Sequence, residues 1–393
     1  MLRGTIAFLV LVALAVLGSE LRALLGRRGF RAPGMEGISF LLVGFGLGGS
    51  GLGLFPDDLL ESMRVVVLFG LAWIGLVFGV QVDLRVVRRL APWHRRVGWL
   101  TPLVLGLPVT FAALVVGLAS STALGLGAIA MAISASPLEG LVRSRGLADH
   151  RTVRLLKLII AFAGLPAVSV FAVSAALASP LVADQGSSTP AWQLLVIIIA
   201  VGLLIGYALV VLVRGVQEHI QLLTLAGGAM CLVAGASAVL GLSALPSAAC
   251  AGAVVVNRSV FPHRMLRVAH SLERPMLVAL LVLVGASWAG ASFSWEAFVL
   301  LTAVRTAAAW LAGQILQFVA RKRDVGVRNA GLGLGLLPQG ELALGLLVAM
   351  VSFFPDTGGV LEAVVVAIIF NNLIAAAWMR RTLVTSRAEA NAR

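Results

Sequence analysis

Apolar residues fall into long runs separated by short polar stretches, neither alternating with period two nor confined to one helical stripe. Runs of about 20 such residues predict helices that cross a bilayer. Thirteen are expected, near 5–18, 37–54, 63–82, 97–118, 122–138, 155–178, 193–213, 220–240, 244–256, 276–291, 296–319, 328–353 and 359–379. The short alternating segments of a membrane barrel are absent, so helices must satisfy the backbone inside hydrocarbon. The fold class expected is an all-α polytopic membrane protein of about 13 transmembrane helices.

Two spans carry helix breakers in their interior. One reads Ala-Met-Ala-Ile-Ser134-Ala135-Ser136-Pro137, and the other Leu-Gly-Leu-Leu-Pro338-Gln339-Gly340-Glu341. Proline lacks a backbone donor and opposes the carbonyl one turn earlier, and glycine weakens the helix further, so both sites should be locally unwound. They are the fifth and twelfth spans, an odd offset apart, and therefore cross in opposite directions. Inverted repeats with two crossing discontinuous helices follow. The first repeat is 1–178, a linker helix with its loops is 179–219, the second repeat is 220–379, and 380–393 is a short tail. Paired interruptions of this kind point to a secondary-transport site at mid-depth. Two ordinary proline kinks are the simpler alternative.

Charge then sets the orientation. Charged residues are 12% of the chain, and the net charge is +13, but the cations sit in short loops rather than on one soluble face. Counting loops, 27 of the 30 lie on one side, the exceptions being Arg3, Arg64 and Arg305. That side should be cytoplasmic, which puts the N-terminus outside and the C-terminus inside in a multi-pass inner (plasma) membrane protein. Arg3, the apolar run to Leu17, and Gly18-Ser19 also resemble a cleavable signal peptide, but cleavage would leave Arg22 to Arg31 outside. The stretch after Trp378 is too short for a nucleotide-binding regulatory domain. Gly331, Gly333 and Gly335 suit close helix packing rather than a phosphate loop.

Chemistry inside the spans is sparse. Glu341 beside an opened helix and Arg305 deep in a span are costly in lipid, so both should face protein or water and belong to a site. Glu139 and Glu362, near helix ends, are expected to be solvated. His94, His150, His219, His263 and His270 are placed in loops, without a paired ligand spacing. Cys231 and Cys250 form neither a disulfide framework nor a zinc site. No cofactor, metal or catalytic residue is expected, and an enzyme is disfavoured. The transport-site candidates are Ser134, Ser136, Pro137, Arg305, Pro338, Gln339, Gly340 and Glu341.

Taken together these features resemble the monovalent cation:proton antiporter superfamily, most of all its potassium-efflux and sodium/proton exchanger branch. The glycine-rich Leu41–Leu54, the Phe78-Gly79-Val80-Gln81-Val82-Asp83-Leu84 segment, the Ser134–Pro137 break and the Gln339-Gly340-Glu341 motif carry the resemblance. Arg305 falls where relatives hold a membrane-embedded Lys or Arg. The resemblance implies exchange of protons for sodium or potassium. In such relatives the helix after the first break carries a cation-binding aspartate, but here it reads Ile160-Ala161-Phe162-Ala163-Gly164-Leu165-Pro166-Ala167. Gly164 stands at the missing acid. That absence leaves two alternatives open: an anion or organic-solute transporter on the same fold, and a transport-incompetent scaffold or sensor. The expected partners are the lipid bilayer, protons and monovalent cations, with no nucleic acid. A homodimer is compatible with this reading.

Overall fold

The computed structural model describes residues 36–49, 51–135, 138–139, 151–179, 190–216, 218–259, 261–288, 293–322, 332–354 and 359–391. The expected span 5–18 lies outside these residues, as do Ser136, Pro137, His150 and Gly331. Every other expected span has its helix, and among the described residues the only extended pairing is an isolated bridge between Gly48 and Phe55. The elements are α1 (Glu36–Leu47), α2 (Asp57–Ser62), α3 (Arg64–Val80), α4 (Leu84–Arg89), α5 (Pro92–Val115), α6 (Ser120–Met131), α7 (Arg151–Ala178) and α8 (Ala191–Val213). They continue with α9 (His219–Val239), α10 (Ala244–Arg258), α11 (Pro262–Ala286), α12 (Trp295–Val299), a π turn at Leu300–Val304 and α13 (Arg305–Lys322). A 3-10 turn at Leu332–Leu336 precedes α14 (Glu341–Phe353) and α15 (Val360–Asn391). Among the described residues, eight helices are long and apolar enough to cross a membrane.

Lipid provides no hydrophobic drive between apolar helices, so close backbone approach and packing must hold them together. Small residues supply that approach in pairs four apart. A Cβ on Gly44 of α1, or on Gly48 just after its end, would run into the carbonyls of Val282 or Ala286 on α11. Gly75 and Gly79 of α3 meet the Leu245 and Ala249 carbonyls of α10 in the same way, and Gly202 and Gly206 of α8 rest on Ser247 and Ala251. The glycine run near the second break behaves likewise: Gly333 lies on Ala309 and Gly313 of α13, and Gly335 lies on Trp378 and Leu156. Two helix ends show the other use of glycine. Gly117 and Gly241, at φ +92° and +61°, follow α5 and α9. In each case the next residue donates back into the last turn, Leu118 to Ala113 and Leu242 to Ser237, closing a Schellman motif.

One boundary differs enough to change the chemistry. The span expected at 276–291 begins at Pro262. Proline at the first helical position has its φ pre-set and loses no needed donor, and the first turns are amphipathic rather than uniformly apolar. Met265, Val268 and Ala269 are buried on one face while His263, Arg267 and His270 are exposed, so a search for unbroken apolar runs passes over them. His94, His219, His263 and His270, expected in loops, are therefore in α5, α9 and α11.

Candidate functional site

The two interruptions meet. Helix α6 stops at Met131 and the chain leaves it extended, while the 3-10 turn gives way to Leu337–Gly340 before α14 begins. The Ser134 amide donates to the Pro338 carbonyl at 2.8 Å, so the broken segments are joined where they cross. Gln339 then fixes the crossing from within. Its amide donates to Asn372 Oδ1 at 2.8 Å, its carbonyl accepts from Asn372 Nδ2 at 3.0 Å, and its Nε2 donates to the Ile129 carbonyl at 2.8 Å. Asn371 Nδ2 donates to both Gln339 Oε1 and the Leu301 carbonyl. All three side chains are buried, where an unpaired amide would be costly.

Arg305 is fully buried and forms the hub of this arrangement. Its Nε donates to the Ala130 carbonyl at 2.9 Å and its Nη1 to Leu337 at 2.7 Å, while Nη2 reaches Ala132 at 3.4 Å and Leu336 at 3.3 Å. Those four carbonyls are the ends of the two opened helices, groups that a broken helix leaves without donors. Helix C-termini also carry partial negative charge. One guanidinium therefore caps both half-helices, and its rigid fork can do so where a single ammonium could not. The π turn immediately before it, Leu300–Val304, has no marker in the sequence.

Gly340 is required by the crossing itself. A Cβ there would lie 2.6 Å from Ser134 Oγ and 2.9 Å from Ser134 Cβ. Gly340→Ala should lower stability by about 1–3 kcal/mol, the usual cost of overpacking. Thermal unfolding of the detergent-solubilised protein measures it. Combining it with Ser134→Gly should restore most of the loss as a coupled pair, and strictly additive losses would contradict the contact.

Glu341 follows at the first position of α14 and is exposed. Arg305, by contrast, has no exposed surface. Among the charges around Glu341 is His270 on α11. His270 Nδ1 pairs with Glu273 Oε2 at 2.5 Å, their side chains being 41% and 16% exposed. His270, Glu273 and Glu341 do not converge as a metal-ligand cluster. Glu273 lies in 257–275, a stretch without an unbroken apolar run; its only signal in the sequence is the His270/Glu273 spacing of three, one helical face. Pro275, one turn beyond Ser271, cannot donate to the Ser271 carbonyl. Glu362, expected to be solvated, is only 8% exposed, and its Oε2 has no partner among the described residues. Glu139 is exposed.

Gly164 lies on α7 facing Leu342, the residue after Glu341, and Phe78 of α3. A Cβ there would be 3.7 Å and 3.9 Å from them, ordinary contact distances. It borders a cavity of about 340 Å³ whose other walls include Phe78, Val168, Ile198, Ala249 and Cys250.

A family model described as "Sodium/hydrogen exchanger, transmembrane" matches residues 8–385. The chain belongs to the sodium/hydrogen exchanger family. Two solved structures of the sodium proton antiporter MjNhaP1 from Methanocaldococcus jannaschii share its fold. The one determined at pH 8 has a TM-score of 0.62 at 18% identity, over 96% of this chain and 97% of that one. An electron-microscopy structure has a TM-score of 0.63 at 19% identity, over 95% of each chain. No curated protein sequence matches the chain. The all-α membrane architecture with discontinuous crossing helices is thus that of a sodium/proton antiporter, and these relatives are transporters rather than enzymes. Within this exchanger, the α7 position where the resemblance calls for an acid is a glycine on an apolar cavity.

Proposed function

We propose that this exchanger trades protons for a monovalent cation, sodium or potassium, and that Glu341 is the carboxylate at which the two compete. The observation that carries the reading is the position of Glu341: it is exposed at a helix start, one residue beyond a hydrogen-bonded crossing of two opened chains. A helix N-terminus favours the ionised carboxylate, and a hard monovalent cation suits the oxygens that an opened backbone offers. In this reading Ser134, Ser136, Pro137, Pro338 and Gly340 keep the two chains open, Gln339 and Arg305 hold them in place, and residues 1–178 and 220–379 are the inverted repeats. The protein would sit in the plasma membrane with its C-terminus cytoplasmic.

Proteoliposomes with a trapped pH dye, challenged in turn with sodium, potassium and chloride, test this. Sodium or potassium should drive proton flux in the wild type, and Glu341→Gln should reduce it to the protein-free leak. Flux that persists in Glu341→Gln would move the carrier to Glu273. A second reading, transport of an anion or organic solute, is favoured by the apolar cavity at Gly164. Chloride or organic-anion flux with no cation-driven proton movement would put it first.

A further inference from the structure

The cavity at Gly164 lies between α3, α7, α8 and α10, and its walls are almost wholly aliphatic or aromatic, Ser169, Gln81 and Cys250 being the polar exceptions. At about 340 Å³ it falls at the small end of organic-ligand sites, roughly 300–1,000 Å³. A bare cation would find few oxygens there, so the space suits an alkyl group.

At one end the lining passes through Gln81, Val82 and Ala253. Immediately beyond, Leu84, Arg85, Arg88, Asn257 and Arg258 line a second cavity, also of about 340 Å³. Asn257 builds the junction. Its Nδ2 donates to the Val82 carbonyl at 2.8 Å, and its Oδ1 accepts from the Leu84 amide at 2.8 Å. Its own carbonyl accepts from Arg85 Nη2 at 3.0 Å. The turn between α3 and α4 is thereby tied to the end of α10, which sets Arg85 and Arg88 beside Arg258. Asp83, the nearest acid in sequence, turns its carboxylate to the Arg85 amide. None of the three arginines forms an ion pair with a described carboxylate. A basic pocket at a helix end on the positively charged side of a membrane protein is the chemistry that receives anionic headgroups.

We propose that the two cavities form one binding site for an anionic amphiphile, its alkyl chain lying along Phe78, Gly164 and Val168 and its carboxylate or phosphate on Arg85, Arg88 and Arg258. A free fatty acid and an anionic phospholipid present the same chemistry. The assignment rests on the cavities and not on cation exchange.

Cys250 lines the apolar part and is half-buried, whereas Cys231 is exposed, so Cys250 can report occupancy in a Cys231→Ser background. The protein in phosphatidylcholine nanodiscs would be labelled with an uncharged maleimide in the presence of dodecanoate, dioleoyl phosphatidylglycerol, dodecanol or acetate. Native mass spectrometry of the same samples counts bound amphiphile independently of the thiol. Dodecanoate or phosphatidylglycerol should bind and slow labelling several-fold, and acetate should not. Slowing by dodecanoate alone assigns a free acid, and slowing by phosphatidylglycerol assigns a membrane lipid. Arg88→Gln with Arg258→Gln, both exposed and outside the packed core, should weaken the dodecanoate effect by about tenfold, the size of one hydrogen bond to a charged group. It should leave the dodecanol effect unchanged. Ala249→Phe, which fills the chamber, should abolish both. Failure of both anions to bind would overturn the proposal, as would equal effects of dodecanol and dodecanoate or indifference to the arginine pair. Because no transport is read, that failure is separate from failure of the exchange reading.

Discussion

Arg305→Met should yield no monodisperse protein after extraction, and Arg305→Lys should yield protein with a clearly lowered unfolding midpoint. Two effects oppose each other at this site. Removing a buried charge relieves a desolvation penalty of several kcal/mol, and well-packed apolar replacements of buried ions are often neutral or better. Methionine, however, leaves four helix-end carbonyls in the interior with no donor. At about 1–3 kcal/mol for each unsatisfied group, the loss reaches the roughly 5–15 kcal/mol that holds a whole domain folded. The carbonyls decide the outcome because they belong to the backbone and no single substitution removes them. Lysine keeps a charge and three donors but lacks the planar fork that reaches both broken ends at once. Size-exclusion profiles and thermal unfolding in detergent check both variants. An Arg305→Met protein as stable as wild type would show that the crossing holds without its cap. The same geometry bears on transport: a guanidinium with no exposed surface and four carbonyl partners serves the scaffold of the site, so an anionic solute would have to be received elsewhere.

The breaks were legible because proline and glycine act through covalent geometry that a sequence states outright. Ser134 and Pro338 could be placed at unwound chain without knowing what lay across from them. The spans were legible for a similar reason, since lipid demands unbroken apolar runs. What could not be read was anything set by a partner distant in sequence. Arg305 was identified as costly and therefore functional, but its partners, at Ala130, Ala132, Leu336 and Leu337, are main-chain carbonyls that carry no residue signature. The Gln339–Asn371–Asn372 network escaped notice in its last two members because asparagine in a span looks like any tolerated polar residue until its amide is seen to close a hydrogen bond. The start of α11 was missed through a different physics. Its first turns bury one stripe and set the more open His270 and Glu273 on another, a pattern of period 3.6 rather than continuous hydrophobicity.

Gly164→Asp should create or strengthen sodium-dependent proton flux, with Gly164→Asn as the control of equal size that cannot carry a proton. Space is not the obstacle. A Cβ at this position meets nothing closer than Leu342 at 3.7 Å, and exchanging a helical glycine for a residue with a side chain recovers about 0.5–1 kcal/mol of backbone entropy. The cost lies in chemistry, since a carboxyl group enters a cavity of aliphatic and aromatic walls with few hydrogen-bond partners. Burial there disfavours the charged form and raises the pKa of the introduced carboxyl group above the ordinary aspartate value. Below that raised value the group stays protonated and holds no cation. As pH rises through it, a cation can displace the proton, so the gain in flux should grow with rising pH and shrink in acid. The sign for stability is the reverse of the usual surface carboxylate: the variant should be least perturbed at low pH, where the group is neutral, and progressively destabilised as pH rises in the absence of sodium. Adding sodium at high pH should recover part of that loss through binding to the folded state. The variant should also weaken the protection of Cys250 by dodecanoate, because a polar group then lines the alkyl chamber. Equal sodium-dependent flux in Gly164→Asp and Gly164→Asn, or a stability profile that improves with pH without sodium, would show that the cavity beside Leu342 is not on the path that ions and protons take.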